Sequence, residues 1–263
     1  MPSGHRTASR RLQSRLVAHR DEILAYADEL LDIDSFPDYG PMGLQVIGTD
    51  EVTKIASGVS ASRELFERAA AAGAQLVLVH HGLFWDKESR VVDARMKGRL
   101  KALLDADLTL AAYHLALDAH PEIGNNARLA QELGVEVEQP FAEIGYGGRL
   151  AESLPAETFV GEIRSRIGQD PLVFPYGPER IERVAIVSGG AAKYVTDAAA
   201  EGYDLFLTGE AAEPTMHAAR ELGIHFVAAG HYATERLGVQ ALAERLAERF
   251  GLDWEFVELP NPV

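Results

Sequence analysis

The sequence has 263 residues, with 25 Lys and Arg against 40 Asp and Glu for a formal net charge of −15, and it contains no cysteine. The lack of cysteine excludes disulfides, iron–sulfur clusters, thiolate metal sites and cysteine nucleophiles, so any metal must be held by nitrogen and oxygen. The excess of acidic residues argues against a duplex-DNA binder, which needs a basic surface, and disfavours nucleic acid as a partner.

The first twenty residues are rich in arginine and contain no acidic residue, but they lack the apolar core of a secretory signal. We interpret them as a short tail that leads into an amphipathic helix over residues 10–32, where apolar residues recur at near-helical spacing. No apolar run approaches the ~18 residues that a membrane span needs, so we expect no membrane partner. A cytoplasmic location is the default expectation.

The first half of the sequence alternates between strand patterns and helix patterns. Short apolar runs predict buried strands, and amphipathic segments that end at Gly73 and Gly134 predict helices. In chain order, the predicted elements are a strand at 52–60, a helix at 62–73, a strand at 74–82, a helix at 96–107, a strand at 108–114, a helix at 125–134 and a strand at 135–141. This alternation is typical of an α/β fold.

The second half repeats the order of the first. Its predicted elements are a helix at 155–168, a strand at 181–190, a helix at 192–202, a strand at 203–210, a helix at 213–223, a strand at 224–231, a helix at 235–251 and a strand at 252–259. The repeat predicts an internal duplication that gives two similar α/β lobes, at residues 1–148 and 149–263. Whether the last helix and strand pack across the lobes stays open.

Aligning the later strands of the two halves places polar residues in matching positions. His114 falls opposite His231, and Asp118 falls opposite Glu235. Each half therefore carries a histidine followed four residues later by a carboxylate, just beyond an apolar strand. The carboxyl ends of strands are where open α/β sheets bind ligands, so these residues are candidates for a site.

Histidines and carboxylates from several strand ends favour a metal site where they converge on one crevice. The candidate side chains are those of His80, His81, His114, Asp118, His231 and Glu235. Imidazole nitrogens and carboxylate oxygens are the ligands of divalent cations, and a carboxylate can bridge two of them. Five or six such ligands suit a two-metal hydrolytic site better than a single zinc ion.

Two glycine-containing turns adjoin the candidate site. The neighbours His80 and His81 project to opposite sides of a regular strand, so both reach one site only if the backbone turns, which Gly82 permits. Gly189 and Gly190 follow a strand, and their N–H groups could cradle a phosphate. A tight turn that requires glycine explains the second pair equally well.

Other residues near the strand ends are better explained by structure than by function. A lone histidine at such a position is usually hydrogen-bonded within the protein, and three fall in this class: His120, His217 and His225. The apolar segment 83–85 is better explained by packing than by contact with a substrate.

Four segments resemble the GTP cyclohydrolase I type 2 homolog family, also called the NIF-three-like proteins. They are GLQVIG (43–48), LVLVHHGLFW (76–85), YHLALDAHPEIGNNARLA (113–130) and FLTGEAAEPTMHAARELGIHFVAAGHYATERLG (206–238). The resemblance covers nearly the whole chain and is to the short bacterial branch, which lacks the extra domain that some members insert between the halves.

The resemblance implies two α/β lobes with a dinuclear metal site between them, and assembly into a toroidal homohexamer. The metal ligands that it implies are His80, His81, Asp118 as the central carboxylate, His231 and Glu235, with His114 nearby. Many relatives have proline where this chain has Gly82, and threonine where it has Leu115. The second departure puts any role for a threonine hydroxyl in doubt.

These observations lead to a hypothesis of a metal-dependent hydrolase with two divalent cations (Zn, Fe or Mn) and a nucleotide-like or phosphorylated small molecule as substrate. Glu210, which the duplication places opposite His81, is a candidate general base or a partner that orients a ligand. His114 is a candidate for orienting a ligand or carrying a proton. GTP ring opening is one variant, although no residue selects guanine. The alternatives are a metal-binding or metal-delivery protein without turnover, and a regulatory scaffold.

Overall fold

The computed structural model describes residues 16–263, so the part of the predicted N-terminal helix before residue 16 lies outside the described residues. The elements, in chain order, are β1 (Ala18–His19), α1 (Arg20–Leu31), β2 (Gly43–Val46), β3 (Glu51–Val52), β4 (Lys54–Ser60), α2 (Arg63–Ala71), β5 (Leu76–His81), α3 (Ala94–Asp105), β6 (Thr109–Ala112), α4 (Leu115–Ala119), α5 (Asn125–Glu132), β7 (Val135–Phe141), β8 (Gly145–Pro155), α6 (Ala156–Ile167), β9 (Leu172–Pro175), β10 (Arg180–Ile186), α7 (Val195–Ala200), β11 (Leu205–Thr208), α8 (Thr215–Leu222), β12 (His225–Ala228), α9 (His231–Phe250) and β13 (Asp253–Phe256). The predicted α/β class is confirmed.

Two mixed sheets form the centre of the molecule. One has five strands in the order β13–β4–β5–β6–β2, in which only the edge strand β2 runs antiparallel to its neighbour. The other has six strands in the order β7–β8–β10–β11–β12–β9, with β10, β11 and β12 parallel and β9 antiparallel at the edge. Each sheet contains three successive parallel strands, β4–β5–β6 or β10–β11–β12, with an antiparallel edge strand beside the third, and the five-stranded sheet adds β13 parallel to β4. The internal duplication stays a prediction.

The parallel strands consist of apolar residues because helices cover both of their faces. On one side of the five-stranded sheet, α1 and α9 bury a core that includes Ile23, Ile55, Leu78 and Leu242. On the other side, α2 and α3 cover a second core around Phe66 and Leu103. The parallel arrangement brings the carboxyl ends of β4, β5 and β6 to one edge of the sheet.

The sheets divide the chain differently from the predicted boundary between residues 148 and 149, which falls inside β8. A three-residue turn joins β7 to β8, so the two strands pair locally and both lie in the six-stranded sheet. After α9, the chain returns to the five-stranded sheet, where β13 pairs with β4. The last helix and strand therefore do pack across the two halves, and the division into two domains stays a prediction.

Two helices near the candidate site differ from the predictions. Each of them begins within three residues of the end of a strand. The helix expected from residue 235 begins at His231, immediately after Gly230, whose φ is +96°. An additional short helix, α4, follows His114. Because i and i+4 side chains share one helix face, each histidine stands one turn from its carboxylate, Asp118 or Glu235.

In the described part of the chain, no helix combines the length and apolar character needed to cross a membrane.

Candidate metal centre

The structure brings together all five side chains that the resemblance implies as metal ligands. His80 and His81 end β5, Asp118 lies on α4, and His231 and Glu235 occupy the first turn and the start of the second turn of α9. Their ligand atoms fall into three overlapping groups with separations within 4.8 Å, namely His80 with His81 and His114, His81 with His231 and Glu235, and His80 with Asp118 and Glu235. The arrangement is a candidate metal-binding centre.

Glu235 is the carboxylate at the middle of this centre. Its Oε1 lies 3.6 Å from His80 Nε2, and its Oε2 lies 3.2 Å from His81 Nε2 and 3.0 Å from His231 Nε2. Asp118, which the resemblance implied as central, has its Oδ2 3.5 Å from His80 Nε2 and belongs to one of the three groups. Glu235 is central because α9 begins four residues earlier, at His231. Its carboxylate therefore lies between the ring of His231 and the histidines that end β5.

The adjacent histidines reach the centre without the backbone turn expected at Gly82. His80 and His81 face different oxygens of the Glu235 carboxylate, which extends between the two rings. The φ of Gly82 is not left-handed, and a Cβ there would overlap the Gln45 amide. Gln45 Oε1 accepts the Leu83 N–H at 2.7 Å and so fixes the chain that leaves β5. The glycine therefore leaves room for the amide group of Gln45 in this chain.

The imidazoles of His80 and His81 are held through Nδ1, which leaves Nε2 directed at the carboxylates. His80 Nδ1 donates to the carbonyl oxygen of Tyr113 at 2.9 Å, and His81 Nδ1 lies 3.0 Å from Ser60 Oγ. A hydrogen bond at one ring nitrogen fixes the orientation of the other, as is usual for metal-binding histidines. Both rings are thus oriented by neighbouring strands of the same sheet.

Carboxylates hold the other two imidazoles in the same way. His114 Nδ1 donates to Asp38 Oδ1 at 2.8 Å, and His231 Nδ1 donates to Glu210 Oε1 at 2.5 Å. Asp38 also accepts the Leu115 N–H through Oδ2 at 2.9 Å, which anchors the start of α4. Glu210, predicted as a general base or a partner that orients a ligand, thus contacts the ring of His231. Sequence reasoning did not find Asp38, which lies in the loop before β2.

Asp118 is oriented by two further residues that sequence reasoning missed. Its Oδ1 accepts from Asn125 Nδ2 at 2.8 Å and from Ser188 Oγ at 3.1 Å, so Oδ2 is left facing His80. Asn125 Oδ1 in turn accepts the Gly238 N–H of α9 at 2.7 Å. This bridge ties Asp118 to the helix that carries Glu235. Asn125 stands inside a segment that carried the family resemblance, which was the only indication of its role.

Three polar atoms at the centre are buried without a hydrogen-bond partner among residues 16–263: His80 Nε2, His231 Nε2 and Glu235 Oε2. His231 Nε2 and Glu235 Oε2 lie 3.0 Å apart, but they are not aligned for a hydrogen bond. Leaving a buried polar atom unsatisfied costs about 1–3 kcal/mol. Buried nitrogen and oxygen atoms that face a common point fit a divalent cation, so this donor set suits the metals that the sequence predicted.

Charges at the centre shift the pKa values of two imidazoles upward. Burial disfavours the charged form of His80, but Asp118 and Glu235 together outweigh it and raise its pKa to about 9. Burial also acts on His231, where Glu235 and Glu210 raise the pKa to about 9. In the metal-free protein, the protonated imidazoles of His80 and His231 therefore balance the negative charge of the acidic side chains.

Burial and neighbouring positive charge have the opposite effect on His81. Its burial, with the neighbouring imidazoles, outweighs the attraction of Glu235 and lowers its pKa to about 3. Burial would raise the pKa of Glu235, but the facing imidazoles hold it well below its usual range. Glu235 is therefore ionised and His81 is neutral at physiological pH, as metal ligands must be.

A cavity of about 240 Å³ opens beside the centre, and its lining includes His81, His114, Asp118, His231 and Glu235. A site buried on all sides would suit a structural metal, whereas catalytic metal sites keep an accessible position. A small molecule can reach this centre from solvent.

Residues 18–262 match the family model described as Duf34/NIF3 (NGG1p interacting factor 3). The chain belongs to this family. A relative from Pseudomonas aeruginosa named "GTP cyclohydrolase 1 type 2 homolog" is 48% identical over 241 residues, which cover 90% of this chain and 95% of the relative. The family resemblance seen in the sequence is confirmed.

Solved structures of similar chains share the fold. The protein ybgI, described as of unknown function, has a TM-score of 0.91 and 44% identity, covering 93% of this chain and 100% of its own. TTHA1606 from Thermus thermophilus has a TM-score of 0.88 and 36% identity, with coverage of 93% and 100%. The α/β architecture of this family member is therefore shared along nearly its full length.

The turn at Gly189 and Gly190 leaves space for Glu235. The φ of Gly189 is +65°, and a Cβ there would overlap Glu235 Oε1. The Gly189 N–H donates to Thr234 Oγ1 at 3.1 Å, and the next N–H after Gly190 donates to Thr208 Oγ1 at 3.3 Å. Two of the three N–H groups in this turn are therefore bonded within the protein, and phosphate binding by the two glycines stays a prediction.

The three histidines assigned to structural roles lie outside the centre. His225 Nε2 donates to the Pro178 carbonyl oxygen at 2.7 Å, and His120 Nδ1 accepts N–H groups of the turn that follows it. His217 is exposed on α8. None of the three belongs to a candidate metal group among residues 16–263.

Proposed function

We propose that this chain binds two divalent cations and hydrolyses a nucleotide-like or otherwise phosphorylated small molecule. The observation that carries the proposal is the position of Glu235, with one oxygen directed at His80 and the other at His81 and His231, beside an open cavity. A carboxylate whose two oxygens face separate groups of imidazoles is suited to bridging two cations.

Two of the three ligand groups share Glu235, and these two suggest one position for each cation. His80 and Asp118 would hold one cation with Glu235, and His81 and His231 would hold the other. When bound at such ligands, divalent cations lower the pKa of water toward ~7 and offset negative charge on a phosphate. Zinc, iron and manganese all accept this mixture of nitrogen and oxygen ligands.

His114 is the side chain best placed to exchange a proton with a substrate. It lines the cavity, and its Nδ1 is held by Asp38, so its Nε2 is the nitrogen available to a ligand in the cavity. The hydrogen bond to Asp38 fixes the orientation of the ring, so that Nε2 can exchange a proton with a ligand in the cavity.

Glu210 acts in this proposal by positioning His231. Its carboxylate is bonded to His231 Nδ1, and it is not among the residues that line the cavity. The general-base role considered from the sequence needs direct access to a reacting water, so orientation of a metal ligand is the role better supported by the contacts.

The name of the relatives does not extend to a substrate for this chain. GTP ring opening is compatible with hydrolysis at a metal centre, but the name alone does not assign guanine as the base. The proposal therefore specifies the reaction class and the phosphorylated, nucleotide-like class of substrate.

Metal content and turnover, measured on the same preparations, test this proposal. The variants are His80→Ala, Glu235→Gln and, as a matched control, Glu248→Gln, which changes an exposed carboxylate on the same helix. We expect two metal ions per chain and turnover of a nucleotide or phosphoester in the parent and in Glu248→Gln. Both site variants should lose metal and activity while they retain their fold by circular dichroism.

The metal content and the turnover test different parts of the proposal. One metal ion per chain would contradict the shared role of Glu235. Two tightly bound ions without turnover on nucleotides or phosphoesters would contradict the hydrolase and support a metal-binding or metal-delivery protein.

A further inference from the structure

The mouth of the cavity beside the metal centre carries aromatic rings. The Trp85 ring packs edge-on against His114 with centroids 5.1 Å apart and lies 6.1 Å from the ring of His81. Tyr39 lies 6.3 Å from His114 on the same side, and 60% of its surface is exposed. Two rings beside the candidate ligands thus remain accessible from solvent.

The position of Trp85 differs from the packing role that the sequence favoured for segment 83–85. Leu83 is buried in the core as expected, but Trp85 lines the cavity of the metal centre. Stacking of a heteroaromatic base on an exposed aromatic side chain stabilises binding and tolerates any base, because every base has a π-face. A flat ring in this cavity would cover the surface that Tyr39 and Trp85 leave open.

A lysine lines the same cavity as these rings. Among the described residues that line the cavity, Lys193 is the only lysine or arginine. Its Nζ lies 4.7 Å from the centre of the Tyr194 ring, and its charge interacts with Tyr39 and Glu143. In a chain with a net charge of −15, an exposed cation at this position can attract an anionic group of a ligand.

The size of the cavity limits the ligand to a small molecule. Its volume of about 240 Å³ lies just below the usual range of ~300–1,000 Å³ for small-molecule sites. A single ring system with one charged group suits this space, whereas a dinucleotide does not.

We infer that the mouth of the cavity recognises a planar heteroaromatic ring that carries a phosphate, with Trp85 and Tyr39 contacting the ring and Lys193 pairing with the phosphate. This inference rests on the proposed function and specifies its substrate class as a mononucleotide or a compound of that size. It also assigns specificity to three residues outside the ligand set.

Calorimetric titration of zinc-loaded protein with AMP, adenosine and ribose 5-phosphate tests the inference by binding, without requiring turnover. Lys193→Ala should weaken binding of AMP and ribose 5-phosphate about tenfold and leave adenosine unchanged. Trp85→Ala should weaken binding of AMP and adenosine about tenfold and leave ribose 5-phosphate unchanged. Lys97→Ala, which removes an exposed lysine outside the cavity, is the control for Lys193.

Tryptophan fluorescence gives a second measurement, because the chain has two tryptophans, Trp85 and Trp254. Trp254 packs against the core beside α9 and serves as the control. AMP should quench the fluorescence of the Trp254→Phe variant, in which Trp85 is the remaining tryptophan. It should leave the fluorescence of the Trp85→Phe variant unchanged.

Three outcomes would overturn the inference: zinc-loaded protein that does not bind AMP, equal AMP affinity in all the variants, or quenching confined to Trp254. If zinc content stays normal in these cases, the proposed metal centre still stands. Failure of the proposed function has a different signature, which is loss of zinc binding in the parent or its retention in Glu235→Gln.

Discussion

The contacts of single residues determine what the candidate centre can bind. Each of its four imidazoles is held at Nδ1 by a different group, which is the Tyr113 carbonyl, Ser60, Asp38 or Glu210. The rings are therefore oriented by the protein before any cation is present. Such preorganisation means that a cation meets ligands already in place, and that the orienting partners contribute to affinity.

We predict that Glu210→Gln weakens metal binding by about tenfold, because loss of an orienting carboxylate typically costs 10–100-fold in metal affinity. Glutamine keeps the shape of the side chain but removes the charge that makes His231 a stronger ligand. Zinc affinity measured by competition with a chromogenic chelator checks this, with Glu213→Gln as an exposed control three residues away. Equal affinity in the two variants would contradict the orienting role.

We also predict that metal binding releases protons near neutral pH. The metal-free centre holds protons at His80 and His231, whose pKa values are raised to about 9. Below that pH a cation must displace these protons, so affinity should rise as pH increases toward 9 and occupancy should fall as pH drops toward ~6. Calorimetry at pH 7.5 in buffers of different ionisation enthalpy measures the release, and a heat that is independent of buffer would exclude it.

Residue types alone indicated which side chains could bind metal, but not which residues orient those side chains. Histidines and acids just beyond apolar strands identified the ligand candidates, and also Glu210 as a candidate general base or orienting partner. Asp38, Ser60 and Ser188 gave no comparable indication, because each lies far along the chain from the side chain that it orients.

At the scale of elements, the start of α9 decides how the two halves of the centre meet. The helix begins at His231, so Glu235 projects one turn further on and passes close to the backbone of Gly189. The left-handed φ of that glycine and the space that it leaves are both needed for this approach. The tight turn predicted at Gly189 therefore supports the centre through packing.

We predict that Gly189→Ala lowers the free energy of unfolding and abolishes metal binding. A left-handed φ costs a non-glycine residue about 1–2 kcal/mol, and the added Cβ also displaces Glu235. Gly73→Ala is the matched control, since Gly73 has a φ of +74° but open space around its Cβ position. Urea denaturation should show destabilisation in both variants, whereas metal content should fall only in Gly189→Ala.

If the Gly189→Ala variant is folded and holds metal at the level of Gly73→Ala, the approach of Glu235 to this turn has no role in the centre.

Sequence patterns predicted most elements because strands and helices differ in the period of their apolar residues. The strands from β4 to β7 and the helix α6 lie close to their predicted ranges. Apolar periodicity did not predict the short helix α4 after His114 or the start of α9 at His231. Both helices begin shortly after a strand, and the polar ligands there carry no apolar period.

At the scale of the whole molecule, the C-terminal part of the chain returns to the five-stranded sheet, which connects the two halves of the metal centre. The strand β13 pairs with β4, and α9 packs its apolar face on the five-stranded sheet while its start carries His231 and Glu235. Ligands from both halves are thereby fixed relative to each other. The homohexamer that the family resemblance implies stays a prediction.

We predict that Leu242→Ala destabilises the protein by about 2–5 kcal/mol, the usual cost of truncating a fully buried leucine. Leu242 is buried where α9 packs on the five-stranded sheet, so a cavity there loosens the helix that carries Glu235. Leu222→Ala is the control, because that leucine is exposed at the end of α8. Urea denaturation of the metal-free variants checks the difference, and equal midpoints would contradict the packing role.

The sequence by itself determined the α/β class, the family and the residues that could bind metal, because apolar periodicity and residue chemistry are local properties of the chain. Tertiary structure decided that Glu235 and not Asp118 lies at the middle of the centre, and that Trp85 and Lys193 line the same cavity beside it. These relations depend on distances between segments far apart in sequence, and such distances are fixed only when the sheets and α9 pack together.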